Sequence, residues 1–137
     1  MIKMKKPLST AQRKAKLISH IRAGSFSIIG DILKEVKARD RVEEGEFTIK
    51  KEKDRCRVRN KCAHCGGIFR EQEVERDHIE PMVPVTGWDS WDGYINRWMN
   101  CGPEGIQTLC KACHKVKSDA EKVERARNKK LAKNKGL

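Results

Sequence analysis

The sequence predicts a small α+β domain with helical ends and a cross-linked centre, and three observations support this. Apolar residues recur at helical spacing near the N-terminus, the centre carries a short strand-like run and paired cysteines, and the C-terminal segment consists of good helix formers. The length of 137 residues fits one domain with extensions. Because 36% of the residues are charged and only 5% are aromatic, the apolar core must be modest. A cross-link is therefore expected to support it.

The formal net charge of +12 is concentrated at the two ends of the chain. Residues 1–22 carry seven Lys or Arg and no acidic residue, while residues 115–137 carry nine basic residues against three acidic ones. Basic ends that flank a nearly neutral centre suit a body held against a polyanion, because each phosphate contact releases condensed counterions. The alternative is that the basic ends only keep the protein soluble.

The chain is expected to divide into four segments. In the first, Ser9 or Thr10 could cap a helix that ends near Arg22, and a second amphipathic helix is expected from Ser27 to about Arg39. We expect these two helices to form a hairpin. The segments are a basic N-terminal helical extension (1–40), a charged linker or surface arm (41–61), the domain that carries the chemistry (62–118) and a basic C-terminal helix or tail (119–137).

A short helix is predicted within the central segment, where Gly, Pro, Cys and Trp concentrate. Asp89, followed three residues later by Asp92, could begin a helix in which Trp91, Ile95 and Trp98 share one face. We interpret these tryptophans as core residues rather than as platforms for stacking bases.

The C-terminal helix is predicted from Lys111 onward, since no Gly or Pro follows until Gly136. Its apolar stripe is thin, so we expect the first turns to pack on the centre while the rest projects into solvent or onto nucleic acid. The stripe consists of Val116, Ala120, Val123 and Leu131.

Six cysteines offer either disulfides or thiolate ligands to a metal. Four of them form two C-x-x-C pairs, Cys62 with Cys65 and Cys110 with Cys113, separated by forty-four residues. Each spacing lets a tight turn aim both sulfurs at one ion, and two such turns complete a tetrahedral site that suits structural zinc. The other two cysteines, which we expect to be free thiols, are Cys56 and Cys101.

The run 110–114 also matches the C-x-x-C-H pattern of covalent haem attachment. We reject a haem, because its attachment requires export and would leave Cys62 and Cys65 without a role. No apolar signal segment follows Met1, and no run of the sequence approaches a membrane span. The expected location is the cytoplasm, with no membrane partner.

Between the cysteine pairs, a strand-like run ends in D-H-I-E-P (77–81). Together with Q-T-L-C-K-A-C-H (107–114) and the following Lys117, this run resembles the HNH endonuclease family over residues 62–118. The tryptophan-rich segment 84–101 is similar to small phage-type HNH proteins of the homing-endonuclease kind, which also carry basic helical N-terminal extensions.

The resemblance implies a ββα-metal (His-Me finger) fold, in which a β-hairpin and a helix grip one divalent ion. It assigns Asp77 and His114 to the ion and His78 to the role of general base. The expected ion is Mg²⁺ or Mn²⁺, with Zn²⁺ or Ni²⁺ as alternatives. Imidazole can deprotonate water near neutral pH, and the cation neutralises the charge that develops on phosphate. Because adjacent strand residues point to opposite faces, a bulge or the strand's end must re-aim Asp77 or His78.

One position departs from the family pattern. Many members carry Asn two residues before the residue equivalent to Gln107, where it is thought to brace the loop, and here that position is Gly105. Glu104, Asn96 or Asn100 could supply the brace.

The expected function is a metal-dependent endonuclease that nicks or breaks double-stranded DNA. We expect a monomer of the phage or mobile-element homing type, at work in the cytoplasm of a bacterial host. One alternative, which Gly105 favours, is a degenerate zinc module that binds nucleic acid without cutting it, and another is a subunit of a larger phage packaging or restriction complex. The expected DNA contacts are Lys5, Lys6, Arg13, Lys14, Lys16, Lys115, Lys117, Lys122, Arg125 and Lys129.

Overall fold

The computed structural model describes residues 5–43, 45 and 58–135. The chain forms two compact units, Met1–Gly30 and Asp31–Leu137. Within the described ranges, four helices and two small sheets confirm the prediction of a mixed fold of helix and strand. None of the helices described combines the length and the apolar character that spanning a membrane would require.

Two consecutive helices begin the described chain. Helix α1 (Thr10–Ala23) matches the first predicted helix and starts with a reciprocal cap. The Ser9 hydroxyl accepts from the Gln12 backbone N–H at 3.2 Å, and the Gln12 side chain accepts from the Ser9 N–H at 2.9 Å. Helix α2 (Ser25–Asp40) covers the second predicted helix, and the non-helical dihedrals of Ile29 put a kink in it. The hairpin of these two helices stays a prediction.

The first sheet consists of strands β1 (Arg41–Glu43), β2 (Val58–Lys61) and β3 (Ile68–Phe69), antiparallel and in that order. Both ends of the segment interpreted as a charged linker or surface arm are therefore paired strands, which the sequence analysis did not predict. Hydropathy does not mark β2, because its two buried residues, Arg59 and Asn60, are polar. Residues 46–57 lie outside the described residues, and with them Cys56 and its predicted free thiol.

The second sheet pairs β4 (Val74–His78) with β5 (Ile106–Cys110) in antiparallel orientation. The register is continuous from residue 74 opposite 110 to residue 78 opposite 106, and no bulge interrupts this pair of strands. Asp77 and His78 therefore keep the opposite orientations of neighbours on a regular strand, and the predicted re-aiming does not occur. Helix α4 (Lys111–Asn134) follows β5 directly and confirms the predicted C-terminal helix.

Helix α3 (Trp91–Met99) lies between β4 and β5 in the chain. Ser90 caps it by accepting from the Gly93 N–H at 3.0 Å. Asp89, expected at the helix start, instead forms a two-pronged ion pair with Arg97, with both N–O distances at 2.8 Å. This pair ties the start of α3 to its last turn.

The buried face of α3 differs from the predicted one. Tyr94 and Trp98 are buried, whereas Ile95 is 43% exposed and Trp91 is 38% exposed. Trp88, Trp91, Tyr94 and Trp98 form a chain of ring contacts with centroids 4.8–6.4 Å apart. Tyr94 takes the inner position predicted for Ile95, because its ring packs against those of its aromatic neighbours.

Helix α4 packs on the domain with a polar face, which the sequence analysis did not predict. Arg125 donates two hydrogen bonds, at 2.7 and 3.0 Å, and Asn128 donates one at 3.0 Å, all to backbone carbonyls of residues 83–85. The predicted apolar stripe points outward instead, and its large exposed residues are Val116, Val123 and Leu131. Three hydrogen bonds to one loop, rather than the burial of apolar side chains, hold this part of the helix against the domain.

A small cluster of buried residues joins the two sheets at the start of α4. It contains Cys62, Leu109 and Cys110, with Phe69 and Cys113 packed against it. Since three of these five residues are cysteines, the core and the predicted metal ligands occupy the same place.

Candidate metal centre and active site

Four cysteines converge on one point. Cys62 follows β2, and Cys65 precedes Gly66, whose φ of +71° permits the tight turn. Cys110 ends β5, and Cys113 lies in the first turn of α4. The four sulfurs lie within 4.8 Å of one another, and those of Cys65 and Cys110 are 3.9 Å apart. Sulfurs bound at about 2.3 Å to a tetrahedral zinc would be about 3.8 Å apart, so the cluster could bind a metal ion and fits structural zinc.

Backbone donors and neighbouring sulfurs set the acidity of this cluster. Burial acts to raise the pKa of Cys62, but hydrogen bonds from the backbone of Cys110, Cys65 and His64 prevail and lower it to about 6. The hydrogen bond that Cys113 shares with Cys110, together with burial, raises the pKa of Cys113 to about 12. Sulfurs this close repel one another as thiolates, so a bound cation is needed to keep all four ionised.

Asp77 gathers three side chains on the side of β4 that faces α4. Its Oδ1 atom lies 3.7 Å from Nε2 of His114, and its Oδ2 atom accepts from the Gln107 amide at 3.2 Å and the Lys117 ammonium at 2.9 Å. The distance of 3.7 Å is too long for a hydrogen bond. Two ligands about 2.1 Å from one ion can, however, lie up to about 4.2 Å apart. Asp77 and His114 therefore lie close enough to share a divalent ion.

The pair of Asp77 and His114 offers an ion two protein ligands. In the part of the chain that the structure describes, the four cysteines are the one group of three or more potential ligands that lie this close together. Magnesium commonly keeps several waters and takes one or two carboxylates beside a substrate phosphate. Two protein ligands with open positions are thus chemically suited to a phosphate substrate.

Lys117 lies at the centre of this group rather than on the surface. Its ammonium bonds to Asp77, to Glu121 and, at 3.1 Å, to the backbone carbonyl of His78. Burial opposes the positive charge, but the hydrogen bonds to Glu121 and Asp77 prevail and raise the pKa of Lys117. These three acceptors match the three N–H donors of an ammonium. The sequence analysis expected Lys117 to contact a DNA phosphate instead.

His78 lies on the opposite face of β4 from Asp77. Its ring contacts Trp98 edge-on, with centroids 5.2 Å apart, and its Nε2 atom is buried with no hydrogen-bond partner among the described residues. Burial lowers the pKa of His78; the Asp77 carboxylate opposes this shift, and the Lys117 ammonium adds to it. The imidazole is therefore neutral at pH 7 and able to accept a proton. The structure does not bring His78 to the same face as Asp77 and His114.

A cavity of about 540 Å³ opens beside the His78 ring. Its walls come from the residues after β4, from α3 and from the turn before β5, and they include Glu80, Asn96 and Cys101. Cys101 is a free thiol, as predicted, and burial raises its pKa. The cavity has the volume of a small-ligand site, and His78 forms part of its wall.

Gly105 belongs to the wall of this cavity. Its carbonyl accepts from the Ile79 N–H at 3.0 Å, which joins the ends of β4 and β5 beyond their ladder. The Asn100 amide donates to the Asn96 carbonyl, and the Glu104 carboxylate folds back over the turn that precedes it. A backbone hydrogen bond thus braces this loop. A Cβ added at Gly105 would meet no atom within 4 Å, apart from its chain neighbours, so a side chain would fit there.

The basic residues expected to contact DNA differ in exposure. Lys115, Lys122 and Lys129 are exposed on α4, although Lys115 also forms an ion pair with Asp119 at 2.7 Å. Arg125 is half-buried and bonded to the loop 83–85, so it is not placed as a free phosphate contact. The expected contacts in the first unit are Lys5 and Lys6 before α1 and Arg13, Lys14 and Lys16 within it. DNA binding by these residues stays a prediction.

Three neighbours of the candidate site were missed by sequence reasoning. Gln107 is the cross-strand partner of Asp77, which becomes visible only once the register of β4 and β5 is known. Glu121 follows Lys117 by four residues, a spacing that could have predicted their pairing. Trp98 carries no sequence signal that it would contact His78.

Comparison with known proteins finds a relative in a phage. No family model matches the chain, and no solved structure matches it. Over 89 residues, however, the chain is 35% identical to a protein of Lactococcus phage SK1 named "Probable HNH endonuclease". The similarity covers 61% of this chain and 86% of the phage protein. On this similarity, the chain belongs to the HNH endonuclease family.

Proposed function

We propose that this protein is a metal-dependent endonuclease that hydrolyses phosphodiester bonds in double-stranded DNA. Its ββα-metal core would consist of β4, β5 and α4. The observation that carries the proposal is the approach of Asp77 and His114 to 3.7 Å where the strands meet the helix, with His78 next to Asp77 in the chain. A carboxylate and an imidazole leave positions open for water and phosphate at one ion.

Asp77 and His114 would hold the catalytic divalent ion, Mg²⁺ or Mn²⁺, with Zn²⁺ or Ni²⁺ as alternatives. When bound, the ion supplies positive charge against the negative charge that builds up on the phosphate. The four-cysteine cluster would hold a structural zinc. Because His114 directly follows Cys113, a zinc held by the four cysteines would fix the start of α4 and, with it, the position of His114.

His78 acts as the general base in this proposal. Its neutral ring would accept a proton from the water that attacks phosphorus. Rotation about the side-chain bonds leaves the Cβ atom of His78 on the face opposite Asp77, so a backbone adjustment at the end of β4 would have to bring the ring toward a phosphate held on the Asp77 side. Because Nε2 has no hydrogen-bond partner in the described structure, this adjustment would break no hydrogen bond of that atom.

The phage relative and the basic ends support double-stranded DNA as the partner. We propose a homing-type or phage-type nuclease, monomeric, that works in the cytoplasm of a bacterial host. Exposed lysines on α4 would hold the phosphate backbone, which positions the enzyme without reading sequence.

Supercoiled plasmid incubated with Mg²⁺ or Mn²⁺ tests the proposal. We expect relaxed or linear product that disappears with EDTA and in the His78→Ala variant. Cleavage that survives EDTA would contradict the role of a metal. Intact plasmid with every divalent ion tried would contradict the nuclease itself.

Gly105 favours a second function, a module that binds DNA without cutting it. This glycine replaces the asparagine of many family members, and the structure braces the same loop through its backbone carbonyl. A mobility shift of intact plasmid in the presence of metal would support this function. Cleavage by the wild-type protein would exclude it.

A further inference from the structure

We infer that Lys117 is a positioning residue that competes with the divalent ion for Asp77, and that Glu121 draws the ammonium away and so permits metal binding. This inference rests on the proposed function, because it concerns the same ion. It replaces the expectation that Lys117 is one more phosphate contact among the basic residues of α4.

The competition follows from the position of the ammonium. Lys117 Nζ lies 2.9 Å from Asp77 Oδ2, while His114 approaches the other oxygen of the same carboxylate. The side chains of Lys117 and Asp77 are only 21% and 15% exposed, so solvent screens their charges little. An ion on Asp77 and His114 would therefore be a near neighbour of a like charge, and the repulsion between the two would weaken the binding of each to Asp77.

Glu121 gives the ammonium a second anionic partner. It lies one helical turn beyond Lys117 on α4 and already bonds to it. When an ion takes Asp77, Lys117 can leave that carboxylate and remain paired with Glu121. If the Glu121 charge were removed, Asp77 would be left as the carboxylate that pairs with the ammonium in the described part of the chain. Lys117 would then bind Asp77 more tightly.

The same helix provides a matched control. Lys115 and Asp119 form an ion pair with the same four-residue spacing, and their side chains are 76% and 52% exposed. No contact between this pair and Asp77 occurs among the hydrogen bonds and ion pairs described. Substitutions in the pair therefore repeat the change in charge on α4 without the change at Asp77.

The experiment measures the dissociation constant of Mn²⁺ for the full-length, zinc-loaded protein without DNA, by the EPR signal of free Mn²⁺. We expect Lys117→Met to bind Mn²⁺ at least about tenfold more tightly, because a like charge is removed from the site. Glu121→Gln, which keeps its size, should bind more weakly than the wild type. Lys115→Met and Asp119→Asn should each remain within about twofold of the wild type, since screening weakens exposed charges.

Opposite effects of the Lys117 and Glu121 variants would support the inference. Equal affinities for Lys117→Met and Lys115→Met, with Mn²⁺ binding abolished in Asp77→Asn, would overturn the inference and leave the metal site of the proposed function intact. Wild-type affinity in Asp77→Asn would overturn both. Zinc content and thermal unfolding of each variant establish that it is folded, and the Glu121→Gln result decides the matter if Lys117→Met does not fold.

Discussion

Asp77 and His78 are neighbours in sequence, yet they occupy different chemical environments. Asp77 lies among hydrogen-bond donors from β5 and α4, whereas His78 packs against Trp98 and its Nε2 atom has no hydrogen-bond partner in the described part of the chain. The strand produces this separation, because successive side chains leave it on opposite faces. These environments suit the roles proposed for the two residues, a cation ligand for Asp77 and a proton acceptor for His78.

The pH dependence of cleavage tests the state of His78. Burial lowers its pKa, so the neutral base persists below the ordinary histidine value of about 6.5. We expect kcat/KM for plasmid nicking to fall only as the pH drops below that value, since protonation then removes the base. An acidic limb centred above the ordinary value would contradict the burial effect described here.

Gly105 permits a test by restoration. Gly105→Asn should raise the rate of cleavage, because an amide is returned to a position where a Cβ meets no atom beyond its chain neighbours. Gly105→Ala is the matched control, and it should stabilise the fold by about 0.4–1 kcal/mol without raising the rate. Rates and urea unfolding of both variants measure these effects. An unchanged rate in Gly105→Asn would show that the backbone brace is sufficient, and a slower rate would contradict the prediction.

At the scale of elements, α4 organises the candidate site. Its first turn provides Cys113 and His114, its second provides Lys117, and its later turns hold the loop 83–85. The inner face of this helix is polar, so hydrogen bonds and ligands rather than apolar burial fix its position. Movement of α4 would therefore disturb the cysteine cluster and the Asp77 group together.

Removal of zinc should consequently unfold the second unit. A structural zinc contributes on the order of 10 kcal/mol, as much as the whole stability of a small domain. We expect Cys113→Ser to lose bound zinc and its cooperative thermal transition. Cys101→Ser is the control, because Cys101 lies outside the cluster, and it should keep one zinc per chain. A cooperatively folded Cys113→Ser protein without zinc would refute the structural role.

Local signals in the sequence account for the elements that were predicted. The Ser9 cap, the break at Gly24 and the absence of Gly and Pro after Lys111 are short-range features, and the three long helices follow from them. The two C-x-x-C pairs likewise predict that the four cysteines lie together, since this spacing is typical of a shared metal ion. The resemblance to a family contributed Asp77 and His114, which no spacing alone would have paired.

Other features depend on tertiary contacts and could not be predicted. The strands β1 and β2 are short, and β2 buries polar residues, so neither has an apolar pattern. The face of α4 that packs on the domain is set by hydrogen bonds to a loop distant in the chain, so the apolar stripe did not predict it. In α3, the burial of Tyr94 in place of Ile95 accompanies its ring contacts with neighbouring tryptophans, which apolar spacing does not predict.

At the scale of the whole molecule, positive charge is the feature that fits a nucleic acid. Lys122 and Lys129 are exposed on α4. Deletion of residues 119–137 would test the charge poorly, because it also removes Glu121 and the hydrogen bonds of Arg125. Point substitutions on the exposed side separate charge from structure.

Lys122→Gln and Lys129→Gln should each reduce the salt dependence of DNA binding. For each phosphate that the protein no longer neutralises, the slope of log K against log salt becomes shallower by about 0.9. Fluorescence anisotropy with a labelled duplex across a salt series measures this slope. Glu124→Gln, on the exposed side of the same helix, is the control and should not make the slope shallower. Unchanged slopes in both lysine variants would remove α4 from the DNA interface.

Chemical rescue of the His78→Ala variant tests the central claim most directly. In Mg²⁺, the variant should cut supercoiled plasmid about 10²–10⁴-fold more slowly than the wild type, because the general base is missing. Imidazole added to the buffer should restore part of the rate, since the cavity of about 540 Å³ beside residue 78 admits it, while Asp77→Asn should not respond. Wild-type cleavage by His78→Ala, or equal rescue of both variants, would contradict the account.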